Sequence, residues 1–330
     1  MKQSKYWIIK TFFVIILLAF IYPVFVYFFF KTPQYSLWIH NVIAKKENSA
    51  KSIHQPKIIL LGGSATLFGL RAKDIQETLS IPTINMGLHA GLGLKYMLYR
   101  AQTQDFLHPK DVLIFIPEYG ILFEEQITQT NTFYFLTYDR KYFNQLPLKD
   151  KIQSIYMIKP RDIIQSFKEQ LTFKGKEHPP SKGYNSSTLN QNGDETINTG
   201  SKEKKISTEC ISFPENIDLF KKNILLLTNM RLFCQKNNID FYISYPNLLF
   251  LEKYNLEDYY SENFLKVHKA LKQANLKIIG YPKDFFYEMK YFYDTRYHLN
   301  QRGVTIRTME FINKLKETNI PVLDSSGPKI

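Results

Sequence analysis

The sequence predicts an α/β domain, a doubly wound parallel sheet with helices on both faces, preceded by one N-terminal transmembrane helix. Three observations predict it. Short apolar runs that end in glycine or proline recur along the chain. Amphipathic segments of helical period lie between them where an antiparallel sheet would need hairpin turns. Residues 11–30 form twenty consecutive positions without a charge.

KIILLGG (57–63) reads as a buried strand ending in glycines, and RAKDIQETL (71–79) as a helix. IPTINMG (81–87) is a second strand running into glycine, and GLKYMLYRAQTQDFL (93–107) an amphipathic helix stopped by Pro109. DVLIFIPEYG (111–120) is a third strand, apolar until it breaks at Pro117. Farther on, 217–238, 261–276 and 303–318 have helical period, while IDFYISYP (239–246) and KIIGYP (277–282) read as strands. The stretch 175–212 is rich in Lys, Ser, Thr, Asn, Gly and Pro, and is expected to be a mobile polar insertion, a solvated loop ahead of a lid. The expected organisation is a signal-anchor transmembrane segment at 1–31, a polar juxtamembrane connector at 32–56, and the α/β domain at 57–330 with its insertion.

A helix over 11–30 spans roughly 30 Å, the thickness of a bilayer's hydrocarbon core. KTPQYSLW follows it without a small-x-small cleavage site, which implies an uncleaved anchor. The head before the span is short, so the expected address is the cytoplasmic membrane, single-pass, with the globular domain on the periplasmic or extracellular side. The chain holds 43 Lys and Arg against 30 Asp and Glu, a net charge of +13. Residues 1–57 carry eight lysines against Glu47 alone, so more than half of that excess flanks the apolar span. This placement suits anionic lipid head groups and argues against a nucleic-acid partner. Two cysteines exclude a disulfide scaffold; Cys210 and Cys234 are expected either to pair or to stay as thiols. No HxxxH or carboxylate cluster appears at ligand spacing, so neither metal nor other cofactor is expected.

In an open parallel sheet, ligands bind beyond the carboxyl ends of the strands. Ser64 stands there, directly after the first strand and Gly62-Gly63. GGSATLFG lacks the lysine of a P-loop, no GxGxxG is present, and Thr66 stands where GxSxG needs its second glycine. Near the other end of the chain Asp294 and His298 lie four residues apart, followed by Asn300 and Gly303. A serine hydroxyl needs a base to become a nucleophile, and a histidine oriented by a carboxylate is such a base. His89, close to the second strand's glycine, is read as assisting this chemistry or as an ordinary loop residue. Phe285, Phe286, Tyr287, Tyr291, Phe292, Tyr293 and Tyr297 crowd the approach to His298, as core or as a platform for sugar faces.

GGS after the first strand, Asn85-Met86-Gly87 at the second, and D…H-L-N-x-x-G before the last helix occur in that order. In this the sequence resembles the SGNH (GDSL-like) hydrolase superfamily, whose domain is a flavodoxin-like doubly wound sheet. It looks most like the bacterial membrane-anchored cell-envelope branch, which includes the D-alanyl transfer protein of teichoic-acid systems and the O-acetylation proteins of alginate and cellulose systems. The resemblance covers roughly 57–120 and 215–318. It implies Ser64 as nucleophile, His298 as base and Asp294 as orienting acid. One residue more than the usual D-x-x-H separates the last two, so Asp284 stands as a substitute. It implies Gly87 as a backbone oxyanion donor. Where the superfamily carries G-x-N-D, this chain has Pro117-Glu118-Tyr119-Gly120, which leaves Tyr119 or Asn85 as the expected second donor.

The implied function is a serine O-acyltransferase or esterase acting on acyl, above all acetyl, esters of a cell-envelope polysaccharide, with a polytopic membrane acyltransferase as partner. The alternative is a catalytically silent SGNH-like scaffold that binds glycan or that membrane partner.

Overall fold

The structure is a computed structural model that describes residues 2–123, 127–177, 184–197, 206–211, 213, 218–318 and 320. The chain forms two compact units, one of Met1–His40 with Ile127–Pro179, the other of Asn41–Gln126 with Pro180–Ile330.

The first unit is helical. Helix α1 (Lys2–Phe29) contains Tyr6–Phe29, 24 residues of mean hydropathy 2.7, long and apolar enough to be a membrane anchor or a signal sequence. Helix α2 (Pro33–Lys51) begins in this unit and continues into the second. Four more helices follow at Gln129–Tyr138, Arg140–Gln145, Leu148–Met157 and Pro160–Thr172. The Tyr156 hydroxyl donates to Ala19 O at 3.0 Å, and the Lys31 N–H donates to Ser166 Oγ at 2.9 Å. The N–H groups of Gln34 and Tyr35, unpaired by the helix they start, both donate to Glu169 Oε2 at 3.2 Å. The stretch expected as a polar connector, 32–56, holds helix α2. Trp38, Ile39, Val42 and Ile43 recur at helical spacing and are buried, so a mostly polar stretch still carries an apolar stripe.

The second unit is α/β. In chain order it contains β1 (Ile58–Gly62), α3 (Ser64–Leu67), α4 (Ala72–Leu79), β2 (Thr83–Gly87), α5 (Leu94–Thr103), β3 (Val112–Ile116) and β4 (Asp240–Ser244). The fifth strand of the main sheet is Lys277–Ile279, and the last helix is Gln301–Glu317. The five strands are parallel in the order β2-β1-β3-β4-(Lys277–Ile279). Strands β1, β2 and β3 are buried at every position, which explains their unbroken apolar runs. Helix α5 stops at Thr103, earlier than its period suggests, before Asp105 takes a left-handed conformation with φ 54°. The 261–276 segment opens as a π-helical turn over Tyr260–Leu265 and becomes α-helical only at Lys266–Gln273.

Within the expected insertion, 178–183, 198–205 and 212 lie outside the described residues; 184–197 take part in the fold. The Asn192 carbonyl accepts the Asn85 N–H at 2.8 Å, and Asn192 Nδ2 donates to Thr83 O at 3.0 Å. The Asp194 carboxylate accepts the N–H groups of Ala72 and Lys73 at 2.7 and 2.9 Å, capping the start of α4. Two further outward groups of β2 are taken as well. Thr83 N–H donates to Gln76 Oε1 at 3.2 Å, and Gly87 O accepts from Lys46 Nζ at 2.7 Å. Burial pushes the Lys46 ammonium down to about 7, against the pull of Asp194 and Glu195.

Candidate active site

The register sets Gly62 level with Gly87 on one side and with Ile116 on the other, so the chain leaves β1 and β3 at the same end of the sheet. Ser64 follows one strand and Glu118 the other. Helix α3 is a single turn laid across these strand ends, held by the Thr66 hydroxyl on Ile116 O at 3.2 Å. This turn has no room for side chains beneath it. A Cβ on Gly62 would lie 2.1 Å from Thr66 Oγ1, and one on Gly87 would lie 2.2 Å from the Leu67 nitrogen.

His298 arrives on a loop closed by the Tyr293 N–H on His298 O at 2.9 Å. Inside it, Thr295 Oγ1 accepts the N–H groups of Tyr297 and His298 at 3.2 and 3.1 Å. Behind it, Asn300 Oδ1 caps the last helix through the Gly303 N–H at 3.0 Å, and Asn300 Nδ2 donates to Lys290 O at 2.8 Å. A Cβ on Gly303 would sit 2.4 Å from Tyr291 O. The Asn and Gly of H-L-N-x-x-G thus seat the histidine.

The side chains meet in a line. His298 Nε2 lies 2.9 Å from Ser64 Oγ, and His298 Nδ1 lies 2.8 Å from Asp294 Oδ1. With Nδ1–H donating to the carboxylate, Nε2 presents its lone pair to the serine. The extra residue between Asp294 and His298 is absorbed by the closed loop. Asp284 is engaged elsewhere, accepting the Tyr281 N–H at 2.9 Å and pairing with Lys314 at 3.5 Å. His298 is buried, its ring 4.8 Å from that of Phe68 and 6.2 Å from that of Tyr184.

Protein families, curated proteins and solved structures offer no match to this chain.

Two of the expected oxyanion donors, the Gly87 N–H and the Asn85 amide, are engaged within the fold. Gly87 N–H, with its single hydrogen, donates to Asn85 Oδ1 at 2.8 Å. Asn85 is fully buried, and its Nδ2 donates to Thr66 O and Leu70 O at 3.1 and 2.9 Å. Tyr119 is buried among Tyr245, Phe264 and Phe213, with ring centroids 6.4, 5.1 and 5.8 Å away. Asn85 and Gly87 therefore build the floor under α3. Gly87→Ala is expected to displace that turn and cost about 3 kcal/mol, read as a lowered urea midpoint at unchanged slope. An unchanged midpoint would show that α3 does not rest on Gly87.

The residue that sequence reasoning missed is Glu118. Its Oε1 lies 3.2 Å from Ser64 Oγ and accepts the Ala65 N–H at 2.7 Å. A Cβ on Gly63 would be 2.2 Å from Oε2 and 2.5 Å from Oε1, so the second glycine of GGS makes room for a carboxyl group. The available signal was a charged residue directly after an all-apolar strand, on the same end of the sheet as Ser64. Burial pushes the Glu118 carboxyl above the usual range, outweighing the opposing pull of the Ala65 N–H, its own N–H, His298 and Ser64.

The surroundings are mixed. The His89 imidazole accepts the Gly91 N–H at 3.0 Å, and burial, aided by His298, pushes it down to about 4. Of the aromatic run, Phe285, Tyr287 and Phe292 are core. A cavity of about 380 Å³ shares Phe68 with the wall of the site and is lined also by Arg71, Lys73, Asp194, Glu195 and Gln301. Among the described residues, no group of three or more His, Cys, Asp or Glu could hold a metal ion. Cys210 and Cys234 are separate thiols, the buried Cys234 pushed up to about 12 by burial.

Proposed function

We propose that this chain is an SGNH-like serine O-acyltransferase or esterase acting on acyl, chiefly acetyl, esters of a cell-envelope glycan. The observation that carries this reading is the line from Ser64 Oγ through both ring nitrogens of His298 to Asp294, with contacts of 2.9 and 2.8 Å. Nucleophile, base and orienting acid stand in hydrogen-bond reach at the carboxyl end of a parallel sheet. We read the five-stranded parallel sheet as doubly wound and flavodoxin-like, with helices covering both faces.

In the first half-reaction His298 Nε2 takes the Ser64 proton as Oγ bonds to the acyl carbon, and the carbonyl electron pair moves onto its oxygen. When the tetrahedral adduct collapses, the bond to the leaving alcohol breaks and the alcohol takes the proton from Nε2. An acceptor hydroxyl, or water, then gives its proton to Nε2 and bonds to the acyl carbon; as the bond to Ser64 breaks, Oγ takes that proton from Nε2. The polar cavity beside Phe68 suits a hydroxyl-rich acceptor. The apolar helix α1 is read as an uncleaved anchor with the globular domain on the periplasmic or extracellular side. There the polysaccharide and a polytopic acyltransferase partner would be found.

Full-length protein in detergent, treated with a fluorophosphonate and mapped by mass spectrometry, tests the reading. A single adduct on Ser64 is expected. Folded protein without that adduct would overturn it.

A second reading, an SGNH-like scaffold without turnover, is favoured by one observation: Gly87 N–H and the Asn85 amide are occupied within the fold. Cells carrying Ser64→Ala separate the two. Lost envelope acylation supports the enzyme, and intact acylation supports the scaffold.

A further inference from the structure

Ser64 Oγ carries one hydrogen and stands between two acceptors, His298 Nε2 at 2.9 Å and Glu118 Oε1 at 3.2 Å. Only the first arrangement leads to a nucleophile, because only a base that keeps the proton frees the oxygen. Where the proton goes depends on the charge of Glu118. An ionised carboxylate is a strong acceptor and draws the hydroxyl away from His298. A neutral carboxyl is a weak acceptor, and the hydroxyl then turns to the imidazole.

The geometry points to Glu118 as a catalytic residue that acts in its protonated form, directing the Ser64 hydroxyl to His298 and switching the site off when it ionises. This rests on the serine reading above. Four observations support it. The side chain is 3% exposed, and Oε2 is buried with no hydrogen-bond partner, a costly position for a charged oxygen. Among the described residues no lysine or arginine pairs with it. Gly63 is bare on the side where the carboxyl lies, so the close approach is built into the GGS turn. The titratable groups that face Glu118 are His298, Tyr297 and Tyr184, none of which brings a fixed positive charge.

The chemistry balances without a further reactant. Neutral Glu118 keeps its proton throughout. The Ser64 proton goes to Nε2 and returns to the leaving group as above. Ionised Glu118 adds a negative charge beside an oxygen that is itself becoming negative, which raises the barrier.

The test uses full-length protein in detergent and two readouts. The first is the rate of fluorophosphonate labelling of Ser64 against pH, for wild type and Glu118→Gln. The second is the infrared carbonyl band of a protonated carboxyl in the difference spectrum between the two proteins. Wild type is expected to label more slowly as pH rises through the ionisation of Glu118. The variant, which cannot ionise, is expected to lack that decline, so the ratio of variant to wild-type rate grows about tenfold per pH unit across it. The band is expected below the decline and absent above it. Labelling of wild type with no band, with no alkaline decline, or with the same decline in Glu118→Gln overturns the role of Glu118 and leaves the serine reading standing. No labelling of Ser64 at any pH overturns the serine reading, and the role of Glu118 with it.

Discussion

Full-length protein carrying Ser64→Ala is expected to turn over an activated acetyl ester about 10⁶-fold more slowly than wild type, and His298→Ala to fall by a similar factor. The two losses should not add. Oγ has no use for a base once it is gone, and Nε2 has no proton to take, so the double variant should match either single one. Far-ultraviolet circular dichroism and the urea midpoint of each variant separate lost chemistry from lost structure. Ser64 is partly exposed at the start of α3, and its side chain caps nothing there, so alanine fits its place. A double variant far slower than either single one would mean that the two groups act in different steps, against the relay of 2.9 Å between them.

The second large effect is at Asp294. Asp294→Asn is expected to cost about 10⁴-fold in the same assay with little change in KM. An amide in this place can present an N–H to Nδ1, which then carries the lone pair and leaves Nε2 protonated against Ser64. Asp284→Asn is the control: its carboxylate serves the Tyr281 N–H and Lys314, so the acylation rate should hold. If Asp284→Asn were the slower variant, the assignment of the orienting acid would be reversed.

The strands and Ser64 are legible in the sequence for a common reason: a strand buried on both faces is an unbroken apolar run, and a serine set just beyond one stands out. Asp294 and His298 follow no such run and are read from their spacing ahead of Asn300 and Gly303. The spacing of Asp294 and His298 is less telling than their shared loop, since closure between Tyr293 and His298 absorbs the additional residue. Glu118 and the oxyanion donors could not be read because hydrogen bonds are exclusive. Gly87 carries the right backbone group in the right block, but the acceptor that claims it, Asn85 Oδ1, is decided only when β2 and α3 pack. The Asn85 amide is likewise engaged, by two carbonyls, while the Tyr119 ring is enclosed by an aromatic cluster. Composition misleads at 32–56 and 184–197 because polar residues are read as solvated. Glu169 and Asp194 instead spend their oxygens on the open N–H groups of helix starts.

The closing of β2's outward groups by side chains and by Asn192 has a consequence for how the molecule lives among its own copies. A strand at the border of a sheet usually offers a row of vacant donors and acceptors on which another chain can lay itself, and this is a route from a folded sheet to an aggregate. Here both backbone groups of Thr83 and of Gly87, and the N–H of Asn85, are already engaged by Gln76, Asn192, the Asn85 side chain and Lys46. The opposite border is a strand of only three residues that starts with a lysine. If α1 serves as the anchor proposed above, copies of the chain would meet at high local density. Blunted borders keep those encounters from becoming cross-chain strand pairing.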